Sequence, residues 1–388
     1  MAERDAETWK GYAIVMRFSI QKSALMQAIQ TVSKAVAVRT TKQVLSGILL
    51  EVSNQEIVAT AYDTQLGIQT RIYASDDNQL TVEQAGSIVL PARYFSEVVR
   101  KLPDTVITMQ VANNYMTEIS TTSVEFHLHG IDAEEFPKLP TFVGVQGLQI
   151  QASLLGDLIR TTAFATANTE VRPILTGINV QCNHDRLTFT ATDGLRMATH
   201  YVHLTDAPVW QAVIPGKSML ELGKILPTDD SIVELYLTES HSLFVIGDTR
   251  FYTRLIDGTY PDTSRIIPTS HKTEITAAGQ ALLGAIDRAA LIARDRDNHM
   301  VRMEIQNDTI TVSSNSPEIG NVSETITVEQ KTGDDLQIAF NARYVLDALR
   351  ALDAAQVTAR FNGTTQAFVI EKTGDQTMLQ LISPVLWR

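Results

Sequence analysis

The amino-acid sequence predicts an α+β fold of three repeated domains, each with two helices packed on antiparallel sheets. The main observation is an internal repeat with a constant offset of 130 residues, which relates VLSGILLEV at 44–52 to ILTGINVQC at 174–182. A second pair, LPARYFSEVVRKLP at 90–103 and IPGKSMLELGKILP at 214–227, repeats with an offset of 124. The change of offset corresponds to a loop that is six residues shorter in the second copy.

A third and weaker copy follows the first two. ITAAGQALLGAI at 275–286 overlays FSIQKSALMQAI at 18–29, and FNARYVLDALRAL at 340–352 overlays 90–102. A repeat of about 120 residues has the size of a domain, whereas solenoid repeats have periods of roughly 20–50 residues. We therefore expect each copy to bury its own core.

The overlays divide the chain into an N-terminal extension and three domains. The extension covers 1–15, and the domains cover 16–143, 144–269 and 270–388. The extension has no periodic pattern, while the alternation typical of a strand begins directly after it. We predict that the extension is disordered and that Met16 is a candidate natural start.

Each copy is predicted to contain a strand, a helix, several strands, a second helix and further strands. The predicted helices cover 22–34, 91–102, 152–166, 216–226, 278–294 and 341–352. Segments that alternate with period two are predicted antiparallel strands, among them 106–111, 124–128, 232–237, 310–313 and 357–361. Ser23 and Ser153 are predicted N-caps, because a serine hydroxyl can accept from an unpaired amide at a helix start. The second helices begin after Pro or Asn, and Pro103 and Pro227 are expected to end two of them.

The segment ATDGLRMA, from Ala191 to Ala198, predicts a hairpin. It lies between two alternating runs, and Asp-Gly is a common tight turn because glycine tolerates a positive φ. The first copy has Asp63-Thr64 at the same place. This substitution predicts that the architecture does not require glycine at the turn.

Composition and cysteine content indicate a globular cytoplasmic protein. The chain is 44% hydrophobic and 20% charged, which is ordinary for a globular protein. Its one cysteine, Cys182, excludes an intrachain disulfide and favours a reducing compartment. The first ten residues are too polar for a signal peptide, and no apolar run approaches the ~20 residues of a membrane span.

Charge is distributed unevenly between the predicted helices and the rest of the chain. The net charge of −12 by itself argues against nucleic acid. The six helical spans, however, carry twelve Lys and Arg against five acids, so their balance is +7 and the remainder carries −19. Any one basic helix face can simply be solvated. Six together favour a helical surface that faces a polyanion.

Over residues 16–388 the chain resembles the bacterial DNA polymerase III beta subunit, the family of sliding clamps. The motifs that carry the resemblance are ATDGLRMA, EVRPILTGI at 170–178, DGTYPDTSRIIP at 257–268, FNARYVLDAL at 340–349 and Pro384-Val385. The resemblance implies a head-to-tail ring of two chains and six clamp domains, with twelve helices around the hole and antiparallel sheets at the rim. Such a closed contact covers the edge strands.

The resemblance also implies a function. The protein is expected to encircle duplex DNA without sequence preference, to tether the replicative polymerase and thereby to confer processivity. The implied partners are duplex DNA, a second copy of the chain, the polymerase III alpha subunit, the clamp loader, and repair and other replication proteins with short hydrophobic peptide motifs. No catalytic residue, cofactor, metal ion or membrane is implied.

Three groups of site residues are implied by position. The partner-peptide cleft comprises Leu175, Thr192, Gly194, Leu195, Arg196, Met197, Pro261, Arg265, Ile266, Asn341, Tyr344, Pro384, Val385 and Leu386. The DNA-facing residues are Arg39, Arg93 and Lys217, and the dimer interface brings Phe126 and Leu128 to Leu291 and Ile292 of the other chain. For the apolar members, ordinary core packing is the alternative. For the cations, the alternative is a solvated surface.

Two departures from the family pattern concern the cleft. Leu195 stands where the family commonly has His, and the chain ends in Leu386-Trp387-Arg388 rather than with an Arg soon after Pro384-Val385. Both departures predict that the cleft prefers different partner peptides from those of other family members. The alternative function is a divergent second copy of the clamp, a scaffold that binds partner peptides without acting as the main replicative clamp.

Three sequence features that could indicate an enzyme have simpler interpretations here. Ile214-Pro-Gly-Lys-Ser218 resembles the end of a P-loop, but position 211 is Gln where the motif needs Gly. His127 and His129 could be metal ligands, but exposed imidazoles on a strand are the simpler interpretation. Asp193 with Arg196 is predicted to be a hairpin salt bridge rather than an acid–base pair.

Overall fold

The computed structural model describes residues 12–205, 207–293 and 299–386. They form two compact units. Unit 1 contains the described residues up to Gln151 together with Ser231–Arg254, and unit 2 contains Ala152–Asp230 together with Leu255 onwards. The second copy of the repeat is therefore divided, since its last three strands belong to unit 1.

Six α-helices occur in the described part of the chain, two in each copy of the repeat. They are α1 (Lys22–Val32), α2 (Ala92–Lys101), α3 (Ala152–Thr162), α4 (Gly216–Gly223), α5 (Gly279–Ala293) and α6 (Ala342–Leu352). Short 3-10 turns at Ser33–Ala35 and Ala163–Ala165 extend α1 and α3 to nearly their predicted ends. None of these helices combines the length and the apolar character that a membrane crossing requires.

The helix starts agree with the sequence except for two caps. Pro91, Pro215 and Asn341 occupy the N-cap positions of α2, α4 and α6, as predicted. The predicted cap Ser23 is wrong, because it lies inside α1, whose N-cap is Gln21. Ser153 is also wrong as a cap, because it lies inside α3 and its hydroxyl donates to Asp230 at 2.7 Å.

Twenty-six strands are assigned in the described residues. Those of the first copy are β1 (Ile14–Gln21), β2 (Gly47–Val52), β3 (Glu56–Tyr62), β4 (Leu66–Tyr73), β5 (Thr81–Gln84), β6 (Gly86–Pro91), β7 (Val106–Ala112), β8 (Met116–Ser120) and β9 (Glu125–His129). Those of the second are β10 (Leu148–Gln151), β11 (Gly177–Asn183), β12 (Arg186–Thr192), β13 (Arg196–His203), β14 (Trp210–Pro215), β15 (Ile232–Leu237), β16 (His241–Ile246) and β17 (Thr249–Arg254). Those of the third are β18 (Thr273–Ala278), β19 (Met300–Gln306), β20 (Thr309–Ser316), β21 (Gly320–Thr327), β22 (Gln330–Gly333), β23 (Leu336–Asn341), β24 (Gln356–Phe361), β25 (Phe368–Lys372) and β26 (Met378–Ile382).

The first strand corrects the predicted extension. Strand β1 begins at Ile14 and pairs with β7, so residues 14 and 15 belong to the sheet and not to a disordered leader. Residues 1–11 of the predicted extension lie outside the described residues. The burial of Met16, Phe18 and Ile20 on one face of β1 explains where the alternating pattern starts.

Each unit contains two antiparallel sheets. Unit 1 has a five-stranded sheet in the order β5-β1-β7-β8-β9 and an eight-stranded sheet in the order β10-β15-β16-β17-β4-β3-β2-β6. Unit 2 has a nine-stranded sheet, β14-β11-β12-β13-β26-β25-β24-β18-β22, and a four-stranded sheet, β21-β20-β19-β23. The larger sheets are shared between successive copies, through β4 with β17 and through β13 with β26. The antiparallel sheets are therefore not confined to single copies of the repeat.

The third copy nevertheless buries a core of its own. Its buried cluster extends from Ile275 to Ile382 and combines α5 and α6 with strands of both sheets of unit 2. Stacked or tilted rings at Phe340, Phe361 and Phe368 fill its centre. All three rings are fully buried and belong to the same core cluster as the apolar residues of α6.

Candidate partner-docking site on the repeated hairpin

The predicted hairpin joins β12 and β13 in unit 2. The two strands pair as far as Thr192 and Met197. Asp193 Oδ1 accepts from the amides of Leu195 and Arg196 at 2.9 and 3.0 Å, and Gly194 has φ +93°. Thr192 Oγ1 also donates to the Arg196 carbonyl at 2.6 Å. These bonds fix the turn without help from a ligand.

Arg196 is buried at the base of this turn. Its Nε lies 3.1 Å from Asp193 Oδ2 and its Nη1 lies 2.6 Å from Asp347 Oδ2 on α6, while Nη2 donates to the Phe164 carbonyl at 2.7 Å. The guanidinium therefore uses a nitrogen on each of its three arms, which a lysine could not do. The predicted Asp193–Arg196 salt bridge is confirmed, and its role is structural.

Two aromatic rings cover the same guanidinium. Its carbon lies 4.6 Å from the centre of the Tyr344 ring and 5.3 Å from that of Phe164, within the range of cation–π attraction. Burial, with the Asp193 charge nearby, raises the pKa of Tyr344 above its ordinary value. The Tyr344 ring thus remains neutral and half-buried at the edge of the hairpin.

Tyr260 anchors the segment after β17 to the hairpin. Its hydroxyl accepts from the Thr192 amide at 3.0 Å, and its ring packs with Leu175 and Val213. Burial raises the pKa of Tyr260 to about 12. Leu175 is therefore a core residue whose contacts hold Tyr260 against the hairpin.

The C-terminal segment lies along the other side of the hairpin. Strand β26 pairs with β13, and the Ser383 amide then donates to the Leu195 carbonyl at 2.9 Å. Two residues later the Val385 amide donates to the Ala339 carbonyl at 2.7 Å. Met197 packs below with Leu381. The hairpin and the C-terminal residues 383–385 are thus held together by backbone hydrogen bonds.

The predicted cleft residues differ in what they expose. Leu175, Thr192, Arg196 and Met197 are buried; Asn341, Tyr344, Pro384 and Val385 are half-buried; Gly194, Leu195, Pro261, Arg265, Ile266 and Leu386 are exposed. Leu195, Ile266 and Leu386 expose 55%, 49% and 75% of their surface, which is large for apolar side chains. Asn341 caps α6 by accepting from the Arg343 amide, and Arg265 pairs with Asp262 at 3.0 Å.

Sequence reasoning missed three residues of this arrangement, namely Phe164, Tyr260 and Asp347. Asp347 follows Tyr344 by three residues on α6, so a helical projection places both on one face. Tyr260 stands within the quoted motif DGTYPDTSRIIP but was not singled out. Phe164 contacts Arg196 through its backbone carbonyl and its ring, and both contacts depend on tertiary packing that no sequence pattern reveals.

Comparison with known proteins gives matches along nearly the whole chain. Family models of the DNA polymerase III beta subunit match residues 16–140 as its N-terminal domain, 149–262 as its central domain and 264–386 as its C-terminal domain. The beta sliding clamp of Bacillus subtilis is 42% identical over 376 residues, which cover 95% of this chain and 99% of that protein. The chain belongs to the DNA polymerase III beta subunit family, the sliding clamps.

Solved structures of the family agree with this assignment. A crystal structure of the Bacillus subtilis sliding clamp superposes with a TM-score of 0.92 at 41% identity, covering 96% of this chain and 100% of that one. The beta chain from Streptococcus pneumoniae superposes with a TM-score of 0.93 at 32% identity and the same coverage. The predicted fold of three clamp domains with helices and antiparallel sheets is confirmed, and the sliding-clamp function is favoured over a divergent second copy.

The cations predicted to face DNA lie on the surface. Arg39 is in the exposed segment after α1, Arg93 is in the first turn of α2, and Lys217 is in the first turn of α4. Arg93 is 3.8 Å from Glu97, a weak exposed pair. Among the other helical cations, Arg160, Lys224, Arg288 and Arg350 pair with acids, and Arg294 lies outside the described residues.

The residues predicted for the dimer interface lie at two surface positions, one in each unit. Phe126 and Leu128 are on β9, the edge strand of the five-stranded sheet in unit 1. Strand β9 is not half-buried, as its alternation predicted, because nearly all of its residues are exposed. In unit 2, Leu291 is 51% exposed and Ile292 half-buried near the end of α5.

The segment that resembles a P-loop and the strand with His127 have structural explanations. A Cβ on Gly216 would lie 2.7 Å from Thr166 Oγ1, so this glycine allows close packing at the start of α4 rather than cradling phosphate. His127 Nε2 lies 3.0 Å from Glu125 Oε1. Cross-strand pairing also brings Glu118 to this pair, with ligand atoms within 4.8 Å of one another.

Proposed function

We propose that this family member acts as a ring of two chains that encircles duplex DNA and holds partner proteins through the cleft around the repeated hairpin. It has no catalytic role in this proposal and acts in the cytoplasm. The observation that carries the proposal is the set of exposed apolar side chains, Leu195, Ile266 and Leu386, around a turn that Arg196 keeps rigid. A preformed site of this kind loses little conformational entropy on binding.

The cleft is suited to a short peptide with a few apolar anchors. Leu195 stands on the turn, and the backbone bond from Ser383 to Leu195 holds the C-terminal segment that carries Leu386 beside it. Ile267, next to Ile266, packs against the cluster that contains Met197. Apolar anchors flanked by half-buried polar groups such as Tyr344 give affinity and orientation. Polymerase, clamp-loader and repair proteins with such peptides are the proposed partners.

Ring closure and weak phosphate contacts supply the rest of the proposal. The exposed edge strand β9, with Phe126 and Leu128, offers unpaired backbone groups for the other chain, and Leu291 with Ile292 offers an apolar partner surface. A closed ring holds DNA by topology. The cations Arg39, Arg93 and Lys217 can then bind phosphates weakly and exchange them, which permits sliding.

Truncation after Ser383 tests the cleft. Strand β26 ends at Ile382, so the truncated chain keeps its pairing with β13 and loses residues 384–388, which include the cleft residues Pro384, Val385 and Leu386. We expect the truncated protein to lose binding of polymerase-tail peptides in a fluorescence anisotropy titration while its dimer remains intact. Unchanged peptide affinity would exclude these residues from the site.

A further inference from the structure

The linker after the first copy lies across one face of the eight-stranded sheet in unit 1. An added Cβ on Gly67 would lie 2.9 Å from Leu139 Cδ2, so the leucine occupies the space that this glycine leaves on β4. The Phe142 ring lies 6.2 Å from that of Tyr252 on β17, centre to centre. Two apolar residues therefore fasten the linker to neighbouring strands, because Gly67 and Tyr252 are directly paired.

A cavity of about 540 Å³ opens beside this linker, and we call it the linker pocket. Its principal wall residues are Leu139, Phe142, Tyr236, Leu243, Arg250 and Tyr252. Ligand pockets commonly have volumes of roughly 300–1,000 Å³, with mostly apolar walls and a few placed polar groups. Three aromatic rings and two leucines form the apolar wall here, and Arg250 is its cation.

The wall of the linker pocket holds one carboxylate, Glu234, and one cation, Arg250, and of these two only the carboxylate has a hydrogen-bonding partner among the described residues. The carboxylate in the wall, Glu234, accepts from the Tyr236 hydroxyl at 2.6 Å, and this bond raises the pKa of Tyr236. Arg250 is exposed and sits opposite Val245 on β16 and Gln69 on β4. Among the described residues its guanidinium has no ion pair or hydrogen bond. An anionic group at the mouth of the pocket would therefore meet an unpaired cation.

The corresponding place in unit 2 shows that this arrangement is not a requirement of the fold. There a smaller cavity of about 310 Å³ lies beside the second linker, with His271, Glu274 and Arg360 among its walls. Arg360, which is paired with Val369 as Tyr236 is paired with Leu243, binds both Glu274 and Glu371. In the unit 2 cavity the arginine is therefore paired with acids of the same unit. The linker pocket instead has aromatic walls and an arginine without such a partner.

We propose that the linker pocket is a second docking site, which takes a partner peptide with an aromatic side chain next to an acidic residue. The aromatic ring lies against Phe142 and Tyr252, and the carboxylate pairs with Arg250. The site belongs wholly to unit 1 and shares no residue with the cleft around Leu195. The proposal for the linker pocket can therefore be tested independently of the proposal for the cleft.

Two matched tetrapeptides test the linker pocket on the full chain. The probes are acetyl-Gly-Phe-Asp-Gly-amide and its uncharged counterpart acetyl-Gly-Phe-Asn-Gly-amide, titrated by ligand-observed NMR. We expect the acidic probe to bind at least fivefold more tightly than the amide probe. Arg250→Gln should abolish that difference, while Arg250→Lys should retain most of it. Val245→Phe, which fills the cavity from the strand opposite Arg250, should weaken both probes.

Controls separate this site from the cleft and from general misfolding. Truncation after Ser383 and the Arg186→Gln variant, which removes an exposed arginine of unit 2, should leave the affinity of the acidic probe unchanged. Retention of Arg250→Gln protein on circular DNA should equal that of the unchanged chain. Equal affinity of the two probes, or an Arg250→Gln variant that binds both as before, would overturn the proposal.

Discussion

Arg196 Nη1 donates to Asp347 Oδ2 across 2.6 Å and thereby joins the repeated hairpin to helix α6. The bond connects residues 151 positions apart, and the same guanidinium also holds Asp193 and the Phe164 carbonyl. A buried ion pair of this kind contributes geometry more than stability, because desolvation offsets much of the attraction. Its removal, however, leaves buried groups without partners.

We predict that Arg196→Lys destabilises the protein by about 1–3 kcal/mol, because a single ammonium cannot replace donors on three arms and leaves buried acceptors unpaired. Urea unfolding measures this change. Arg265→Lys is the matched control, since Arg265 is highly exposed and its variant should change the free energy of unfolding by less than about 0.5 kcal/mol. Equal stability of the two variants would show that the buried network is dispensable.

The turn at Thr64 supplies a second prediction. Its counterpart Gly194 has φ +93°, and Thr64 itself adopts φ +79°, which is rare for a β-branched residue and costs about 1–3 kcal/mol. We therefore expect Thr64→Gly to raise the free energy of unfolding by about 1 kcal/mol. Gly194→Ala should lower it by a similar amount, although a Cβ there meets no atom within 4 Å. A destabilised Thr64→Gly protein would contradict this explanation.

His200 predicts a loss of stability in mild acid. Burial lowers the pKa of His200, Arg160 lowers it further, and Asp157 and Asp375 oppose the shift. Thr161 Oγ1 lies 2.8 Å from its Nδ1. Because the unfolded state binds the proton more readily, stability should fall as the pH drops below about 6.5 toward the folded pKa.

The measurement for His200 is the melting temperature between pH 8 and pH 5, the window around ~6.5. His200→Gln, which cannot be protonated, should show a smaller decrease across this interval than the unchanged chain. Replacement of the exposed His184 by Gln serves as the control and should leave the pH dependence as it was. Parallel curves for the His200→Gln and unchanged proteins would assign the acid sensitivity to other groups.

The exposed edge strand β9 predicts how the ring dimer can be broken. Phe126→Asp places a charge on an apolar position of the proposed interface, and we expect a monomer at micromolar concentration by size-exclusion chromatography with light scattering. Val209→Asp, at a site that is 61% exposed and outside the interface, should leave the dimer unchanged. A monomeric unchanged chain would argue strongly against the ring.

Sequence periodicity predicted the helices well, because helix–sheet packing fixes an apolar stripe and Pro or Asn marks where a helix begins. The starts of α2 and α6 agree with prediction to within a residue or two. The N-caps Ser23 and Ser153 failed, since each helix continues directly from a strand and begins one or more residues earlier. The sharing of sheets also escaped prediction, because the paired residues of β4 and β17 are separated by more than the length of a whole copy, 179 positions for Thr70 and Thr249.

The hairpin prediction was only partly right. The repeat located the turn and its Asp193–Arg196 salt bridge. Its prediction that the architecture does not require glycine also agrees with the structure, since Thr64 occupies the turn of the first copy, but the positive φ that both copies share at this position was not predicted. The partners of Arg196 on α6 and at Phe164 depend on tertiary packing, so no local pattern could reveal them.

Retention on DNA of defined topology tests the proposed encirclement most directly. The protein is loaded onto nicked circular DNA, and the bound fraction is measured before and after the circle is linearised. If the ring holds DNA by topology, the protein remains on the circle and is lost rapidly from the linear form. Equal retention on both forms would mean that direct contacts hold the protein, and would contradict the sliding ring.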